Sequence, residues 1–119
     1  MPQCIVIADE ITGGSAVGSL LEKNGNTVCS LMSTRGLKDP ITQKYDCFVY
    51  STNSRNLTAQ QSYQMVFSAA KLLKSDEVKL YAKRIDPAMR GNTCAETEAL
   101  LDALGDPDRV AIVVPAFPA

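Results

Sequence analysis

Short apolar runs that alternate with amphipathic segments constrain the fold of this chain more than any other feature. The runs at residues 3–8, 27–32, 47–50, 78–82 and 110–114 are typical of strands buried in a sheet. Helical patterns separate most of them, at about residues 15–24, 58–73 and 93–104. This alternation predicts an α/β fold: a single open, mostly parallel sheet of about five strands with helices on both faces, in a Rossmann-like arrangement.

Helix start and stop signals support these boundaries. Thr58 with Gln61, and Thr93 with Glu96, have the spacing of a capping box, in which two side chains satisfy backbone N–H groups at the start of a helix. Gly105 follows the last helical pattern as a stop signal. Both capping boxes are therefore expected to begin helices.

Three further segments have distinct patterns. The polar segment 33–44 is predicted to be a connecting loop. The alternation in residues 78–82 indicates a strand with one more polar face, nearer an edge of the sheet. Residues 110–114 are all apolar, which predicts a central strand.

Composition excludes several classes of protein. The length of 119 residues is that of one domain, and its 12 basic residues are scattered, so no nucleic-acid surface is expected. With no leader pattern and no apolar run long enough for a bilayer, a cytoplasmic location is the default expectation. The chain has no His and no CxxC pair, which argues against a Cys/His metal site and a His-based triad. Cys4, Cys29 and Cys47 are expected to be small buried hydrophobic residues.

Polar residues that could bind a ligand or take part in a reaction follow three of the predicted strands. They are Asp9, Glu10 and Thr12 after the first strand, residues 52–55 after the third, and residues 84–92 after the fourth. Because the carboxyl ends of parallel strands share one edge of a sheet, these loops are expected to converge on one ligand crevice. Helix N-termini at about Gly14 and Thr93 would favour an anion there.

The loop at residues 83–92 is the most informative of the three. Arg90 offers a planar fork that matches a carboxylate or phosphate, Asp86 accepts from hydroxyls, and Gly91 allows close approach of the backbone. The pattern indicates a site for an anionic, hydroxyl-rich ligand. The plainer interpretation is a solvated turn with an Asp86–Arg90 ion pair.

Two other functional classes, a nucleotide-binding domain and a phospho-receiver domain, fit the sequence less well. Gly13, Gly14 and Ser15 follow a strand, but they match neither common nucleotide-binding glycine motif, so a tight turn with close helix packing is the better interpretation. A phospho-receiver domain has a similar length but needs an Asp at the end of its third strand. This chain has Tyr50, Ser51 and Thr52 there.

Four segments together resemble the sugar-binding N-terminal domain of the four-carbon acid sugar kinases. They are IADEITG at residues 7–13, STNSR at 51–55, KRIDPAMRGN at 83–92 and PAFPA at 115–119. The usual strings of that family are IADDLTGA, a strand ending in TxSR, K[KR]xDSTLRGN and PAFPxxGR. The resemblance implies an ATP- and Mg²⁺-dependent phosphotransferase for acids such as threonate and erythronate, with residues 1–119 holding the sugar acid and a separate C-terminal domain holding the nucleotide.

The resemblance also implies a set of site residues. The substrate-binding residues would be Asp9, Thr12, Gly13, Ser54, Arg55, Lys83, Asp86, Arg90, Gly91 and Asn92. Arg55 or Arg90 would hold the carboxylate, and Asp9 or Asp86 would accept from hydroxyls and is the candidate catalytic group that orients the attacking one. No metal site is expected in this chain.

Two departures from the family strings bear on substrate identity. Glu10 stands where the family has a second Asp, and residues 87–89 are Pro-Ala-Met in place of Ser-Thr-Leu.

A chain of this length without the nucleotide domain is expected to bind the sugar acid and not to catalyse its phosphorylation. The alternative to the substrate domain of a kinase is a non-catalytic binding module for small hydroxy acids. An apolar face exposed where a second domain should dock would also favour self-association.

Overall fold

A computed structural model describes residues 2–115, except for the side chains of residues 37 and 38. It contains four strands and three α-helices: β1 Cys4–Ala8, α1 Ile11–Lys23, β2 Val28–Leu31, β3 Cys47–Ser51, α2 Ala59–Leu73, β4 Leu80–Arg84 and α3 Thr93–Leu104. Short 3₁₀ helices at Thr34–Lys38 and Pro40–Lys44 occupy most of the predicted loop 33–44. Residues 116–119 of the predicted closing motif lie outside the described part of the chain. Within residues 2–115, none of the helices combines the length and apolar character needed to cross a bilayer.

All strand pairs in the sheet are parallel, and the spatial order is β2-β3-β1-β4. This arrangement confirms the α/β prediction. Ala8, the last residue of β1, is opposite Ser51 at the end of β3 and Arg84 at the end of β4. Because three strands end at the same level, the loops that follow them begin side by side.

Helices cover both faces of the sheet, as the sequence predicted. Ile5, Ile7 and Phe48 join the hydrophobic core cluster that contains the buried residues of α2 and α3. The alternate positions Ala8 and Val49 face α1, since a Cβ on Gly14 would lie 3.2 Å from side-chain atoms of both. Strand side chains alternate between faces, so adjacent residues of one strand meet different helices.

The first helix begins earlier than the predicted residue 15. Glu10 is its N-cap, and the Glu10 carboxylate accepts a hydrogen bond of 2.6 Å from the N–H of Gly13. Two adjacent glycines lower helix propensity, which is why the sequence indicated a loop. Here Gly14 allows close packing, because a Cβ at that position would lie only 2.8 Å from Ser51 Oγ.

The two predicted capping boxes had different outcomes. The box of Thr58 and Gln61 at the start of α2 is confirmed, with both hydrogen bonds present. The box of Thr93 and Glu96 is wrong: Asn92 is the N-cap of α3 without a side-chain cap bond, and Glu96 is buried at 1% exposure. Glu96 instead binds Lys83 of β4, because a buried cation is a stronger partner for a carboxylate than a backbone N–H.

The predicted fifth strand at residues 110–114 is also wrong, and the sheet has four strands within residues 2–115. This segment is exposed, with Val110 and Ile112 at 80% and 88%. A cavity of about 460 Å³ is lined by the segment, by β4 and by α3. The apolar composition favours a strand, but a strand requires hydrogen bonds to a neighbour, and β4 pairs only with β1 in the described sheet.

Cys4, Cys29 and Cys47 were predicted to pack as small hydrophobic residues. Cys47 is buried, Cys4 and Cys29 are half-buried, and none forms a disulfide. Burial, together with the adjacent Cys47, raises the pKa of the Cys4 thiol to about 11. These thiols therefore remain protonated at neutral pH and pack as small apolar groups.

Candidate functional site

The loops β1–α1, β3–α2 and β4–α3 surround a crevice at the carboxyl edge of the sheet. The chain leaves β1 toward α1 on one face and leaves the adjacent β3 toward α2 on the other face. Adjacent strands whose connections diverge in this way open a gap between their loops, the usual ligand position in parallel α/β sheets. The sequence prediction that the three loops converge is confirmed at the level of the fold.

Asp9 and Arg55 form the centre of the crevice. Arg55 Nε donates to Asp9 Oδ2 at 3.0 Å, and Arg55 Nη2 donates to Asp9 Oδ1 at 3.2 Å. The carbonyl of Asp9 also accepts from the backbone N–H groups of Ser54 and Arg55. The β3–α2 loop is thus fastened to the end of β1 by both backbone and side chain. The hydrogen bonds that Arg55 donates to the Asp9 carboxylate raise the pKa of Arg55.

Gly91 lies directly against this pair. Its φ of +89° is a left-handed conformation that favours glycine. A Cβ at this position would lie 3.1 Å from both Asp9 Oδ2 and Arg55 Cγ. The absence of a side chain therefore lets the β4–α3 loop approach the ion pair closely.

Asp86 organises the β4–α3 loop. Its Oδ1 accepts from Arg90 Nη2 at 2.6 Å, and its Oδ2 accepts from the N–H groups of Ala88 at 2.9 Å and Arg90 at 3.2 Å. The hydrogen bond from the Arg90 side chain, with these two backbone bonds, holds the pKa of Asp86 well below its usual value despite the opposing effect of burial. The predicted Asp86–Arg90 ion pair is present, and it leaves the Arg90 side chain 69% exposed.

Glu10 also lies at the crevice, although the predicted set of substrate-binding residues did not include it. Its Oε1 caps α1 and lies 3.9 Å from Arg55 Nη2, and its side chain is 29% exposed. Within the described residues, its other carboxylate oxygen makes no hydrogen bond. The signal was the pair of acidic residues after a buried strand, which placed Glu10 in the converging loops, but only Asp9 was assigned a role in substrate binding.

Lys83 and Ser54 lie beneath the crevice and not at its surface. Lys83 Nζ is 3.1 Å from Glu96 Oε1 and donates to the carbonyl of Arg84 at 3.0 Å. Ser54 is fully buried, and its hydroxyl contacts Glu96 and Thr52. Strand alternation explains the position of Lys83, because it is opposite Ile7 and faces α3, whereas Arg84 faces Gly13 of α1.

The remaining predicted residues lie at the rim. Thr12 is exposed in the first turn of α1, and the N–H of Gly13 is taken by Glu10. Asn92 donates from Nδ2 to the carbonyl of Leu57 at 2.8 Å, which ties the β4–α3 loop to the β3–α2 loop. The three loops are therefore joined to each other as well as to the sheet.

The carboxylates of the crevice do not form a metal site. Among residues 2–115, no group of three or more Asp, Glu or Cys side chains is arranged to hold a metal ion. Asp9 and Asp86 are instead neutralised by arginines. The carboxylates of the crevice, within residues 2–115, therefore lack the set of free oxygen ligands that a Mg²⁺ ion requires.

Comparison with known proteins assigns the chain to a family and supports its fold. The chain belongs to the family of sugar-binding N-terminal domains, whose model matches residues 4–119. A solved structure from Bordetella bronchiseptica, described as a domain of unknown function with bound citrate in a domain-swapped dimer, has a TM-score of 0.84 to this chain. It is 24% identical and is matched over 88% of this chain and 27% of that one, which supports the fold alone.

The curated relatives are named for kinases of four-carbon acids. D-erythronate kinase of Heliobacterium modesticaldum is 36% identical over 99% of this chain and 27% of its own length. 3-oxo-tetronate kinase of Actinobacillus succinogenes is 30% identical, with 95% and 27% covered. D-threonate kinase of Bordetella bronchiseptica is 29% identical, with 98% and 29% covered. The chain therefore spans less than a third of the length of these relatives.

Proposed function

We propose that the crevice binds a four-carbon sugar acid such as erythronate or threonate, as the substrate domain of an ATP-dependent kinase. The observation that carries this proposal is the exposed guanidinium of Arg90, which is anchored by Asp86 in the crevice that also contains the carboxylates of Asp9 and Glu10. A short sugar acid presents one carboxylate and several hydroxyls, and this arrangement has one partner for each kind of group.

Arg90 is better suited than Arg55 to hold the carboxylate. Arg55 already directs Nε and Nη2 at Asp9, and its side chain is only 18% exposed. Arg90 uses Nη2 for Asp86 and keeps its other donors toward solvent. A guanidinium held on one side by a carboxylate is pre-oriented, so less conformational entropy is lost when a ligand carboxylate binds the other side.

Asp9 and Glu10 are the proposed partners of the substrate hydroxyls. Asp86 accepts three hydrogen bonds and has little remaining capacity, so of the two candidate catalytic groups we favour Asp9. Asp9 accepts one side-chain bond on each oxygen, and Gly91 leaves the space next to its Oδ2 free of a side chain. Glu10 would accept through its unpaired oxygen.

The chemistry proposed for the longer protein is transfer of the γ-phosphoryl group of ATP to a substrate hydroxyl. Phosphoryl transfer depends mainly on positioning and on neutralisation of charge. The residues of this chain would orient the substrate hydroxyl that accepts the phosphoryl group. They would also hold the carboxylate of the sugar acid, so that it does not react. ATP and Mg²⁺ would bind to the nucleotide-binding C-terminal domain, because the carboxylates here are taken up by arginines.

We also propose a domain role, a cellular location and an oligomeric state for this chain. Residues 1–119 form the sugar-acid-binding domain, and a nucleotide-binding C-terminal domain is its partner. The use of ATP implies a cytoplasmic location. Self-association is proposed because the Bordetella bronchiseptica structure is described as a dimer and because residues 110–114 expose apolar side chains of the kind that contact partners.

Calorimetric titration of this chain with D-erythronate and D-threonate tests the proposal. Both acids, or one of them, should bind, whereas erythritol, which lacks the carboxylate, should not. Arg90→Ala should weaken binding by roughly tenfold or more, since charge-assisted hydrogen bonds contribute about 1.5–3 kcal/mol. Arg109→Ala is the matched control, because Arg109 pairs with Asp106 beyond α3. Equal binding of erythritol, or no effect of Arg90→Ala, would contradict the assignment.

A further inference from the structure

Glu96 is a buried carboxylate for which the proposed function has no use. It lies in the first turn of α3 with 1% of its surface exposed. Its Oε1 lies 3.1 Å from Lys83 Nζ and accepts from Ser54 Oγ at 3.1 Å. Burial of a charged group removes its hydration, which is unfavourable unless well-placed partners replace the water. The contacts of Glu96 therefore fix the local geometry.

The partners of Glu96 belong to different elements of the crevice. Lys83 is on β4 and also donates to the carbonyl of Arg84. Ser54 is in the β3–α2 loop, and its hydroxyl lies 2.6 Å from that of Thr52, which donates to the carbonyl of Ala8 on β1. One carboxylate therefore connects α3, β4, the β3–α2 loop and the end of β1.

The connection through Ser54 leads directly to the ligand site. Ser54 immediately precedes Arg55, and both N–H groups are directed at the carbonyl of Asp9. A shift of the Ser54 side chain would move the backbone from which Arg55 extends to Asp9. Glu96 itself does not reach the surface, so its influence on a ligand is indirect.

We propose that Glu96 is a positioning residue of the crevice, which holds Arg55 in place beside Asp9 through Ser54 and anchors β4 through Lys83. The effect on ligand affinity rests on the proposed function, but the effect on Arg55 does not. A merely structural role is the competing account. Apolar side chains of similar size often replace a buried ion pair without loss of stability, but they cannot reproduce its directed contacts.

Three variants separate the two accounts. Glu96→Gln keeps the size and removes the charge, and Ser54→Ala removes only the hydroxyl that leads to Arg55. The double variant Glu96→Leu with Lys83→Met replaces the ion pair by apolar groups. Val66→Ala is the control, because Val66 is fully buried in α2 and belongs to the hydrophobic core and not to this network.

The first measurement needs no ligand. The hydrogen on Arg55 Nε should exchange slowly with solvent, because Nε donates to the buried Asp9. Nitrogen-15 NMR of the Arg55 Nε–H signal measures this exchange rate. Exchange should rise several-fold in Glu96→Gln, in Ser54→Ala and in the double variant, but not in Val66→Ala, even where the melting temperatures are equal. Unchanged Arg55 exchange in Glu96→Gln and Ser54→Ala would overturn the proposal.

The second measurement is affinity for D-erythronate. The double variant should melt near the temperature of the unsubstituted chain and still bind roughly tenfold more weakly, the scale on which loss of supporting hydrogen bonds weakens a site. Recovery of both melting temperature and affinity in the double variant would show a structural role and overturn the positioning role. If D-erythronate fails to bind the unsubstituted chain, the proposed function fails, while the Arg55 measurement still decides the role of Glu96.

Discussion

At the scale of single residues, the charged groups of the crevice divide into those that are satisfied and those that remain available. Asp86 is saturated by three donors and shapes its own loop, whereas Arg90 and Glu10 keep unused capacity. The sequence offered the Asp86–Arg90 pair as the plainer interpretation of this loop, and the pair is present. The sequence could not predict that Lys83 points away from the surface, because that depends on which helix packs against β4.

The Asp86–Arg90 pair should make stability depend on pH. The folded-state pKa of Asp86 is lowered, first by the Arg90 side chain, so its contribution is present above the unfolded pKa of about 3.9 and is lost as pH falls toward the folded value. The melting temperature of Arg90→Ala should therefore lie below that of the unsubstituted chain at about pH 5–7, and the difference should shrink below about pH 4. Circular dichroism melts across this range measure it. A difference that is constant down to about pH 2 would contradict the assigned cause.

Gly91 should not tolerate a side chain. Gly91→Ala places a Cβ 3.1 Å from Asp9 Oδ2 and Arg55 Cγ at a φ of +89°. A strained backbone conformation alone costs roughly 1–3 kcal/mol in the free energy of unfolding, and the close contacts should make the loss at Gly91 larger than at a glycine that has the same φ and no neighbours. Urea denaturation measures this loss. Gly25→Ala is a suitable control, since its φ is also +89° but nothing lies within 4 Å of a Cβ there. Equal losses in the two variants would show that strain alone, and not contact with the ion pair, is responsible.

At the scale of elements, local signals predicted the helices better than they predicted their partners. The capping box of α2 was correct because both of its residues are exposed and have no competing partner. The same spacing failed in α3, where the fold offers Glu96 a buried lysine. Likewise, residues 110–114 have the composition of a strand, but hydrogen bonding to a neighbour cannot be read from composition.

The two predicted capping boxes give a matched test. Thr58→Ala removes the acceptor for the N–H of Gln61 and should lower the free energy of unfolding by about 1 kcal/mol. Thr93→Ala should cost much less, because α3 has no side-chain cap bond. Chemical denaturation of both variants is the measurement. An equal loss at Thr93 would mean that its side chain caps α3 after all.

At the scale of the whole molecule, the parallel sheet sets the place of the site and the loops set its chemistry. Strand-helix alternation was sufficient to predict the fold class and the edge at which Asp9, Arg55 and Asp86 meet. The number of strands and the inward direction of Lys83 required knowledge of packing. Two cavities lie away from the crevice: one of about 460 Å³ beside β4 and α3, and a groove of about 600 Å³ along α2. Neither cavity is lined by the charged side chains of the crevice, so each is a separate candidate place for a ligand.

Nitrogen-15 NMR during titration with D-erythronate distinguishes these places most directly. The account predicts saturable shifts of the backbone amides of Gly13, Ser54, Arg55, Arg90 and Gly91, with little change along the exposed face of α2 near Met65 and Leu72. The Arg90→Ala variant should require a higher ligand concentration for the same shifts. Shifts concentrated along α2, or along residues 110–114, would contradict the assignment of the crevice as the binding site.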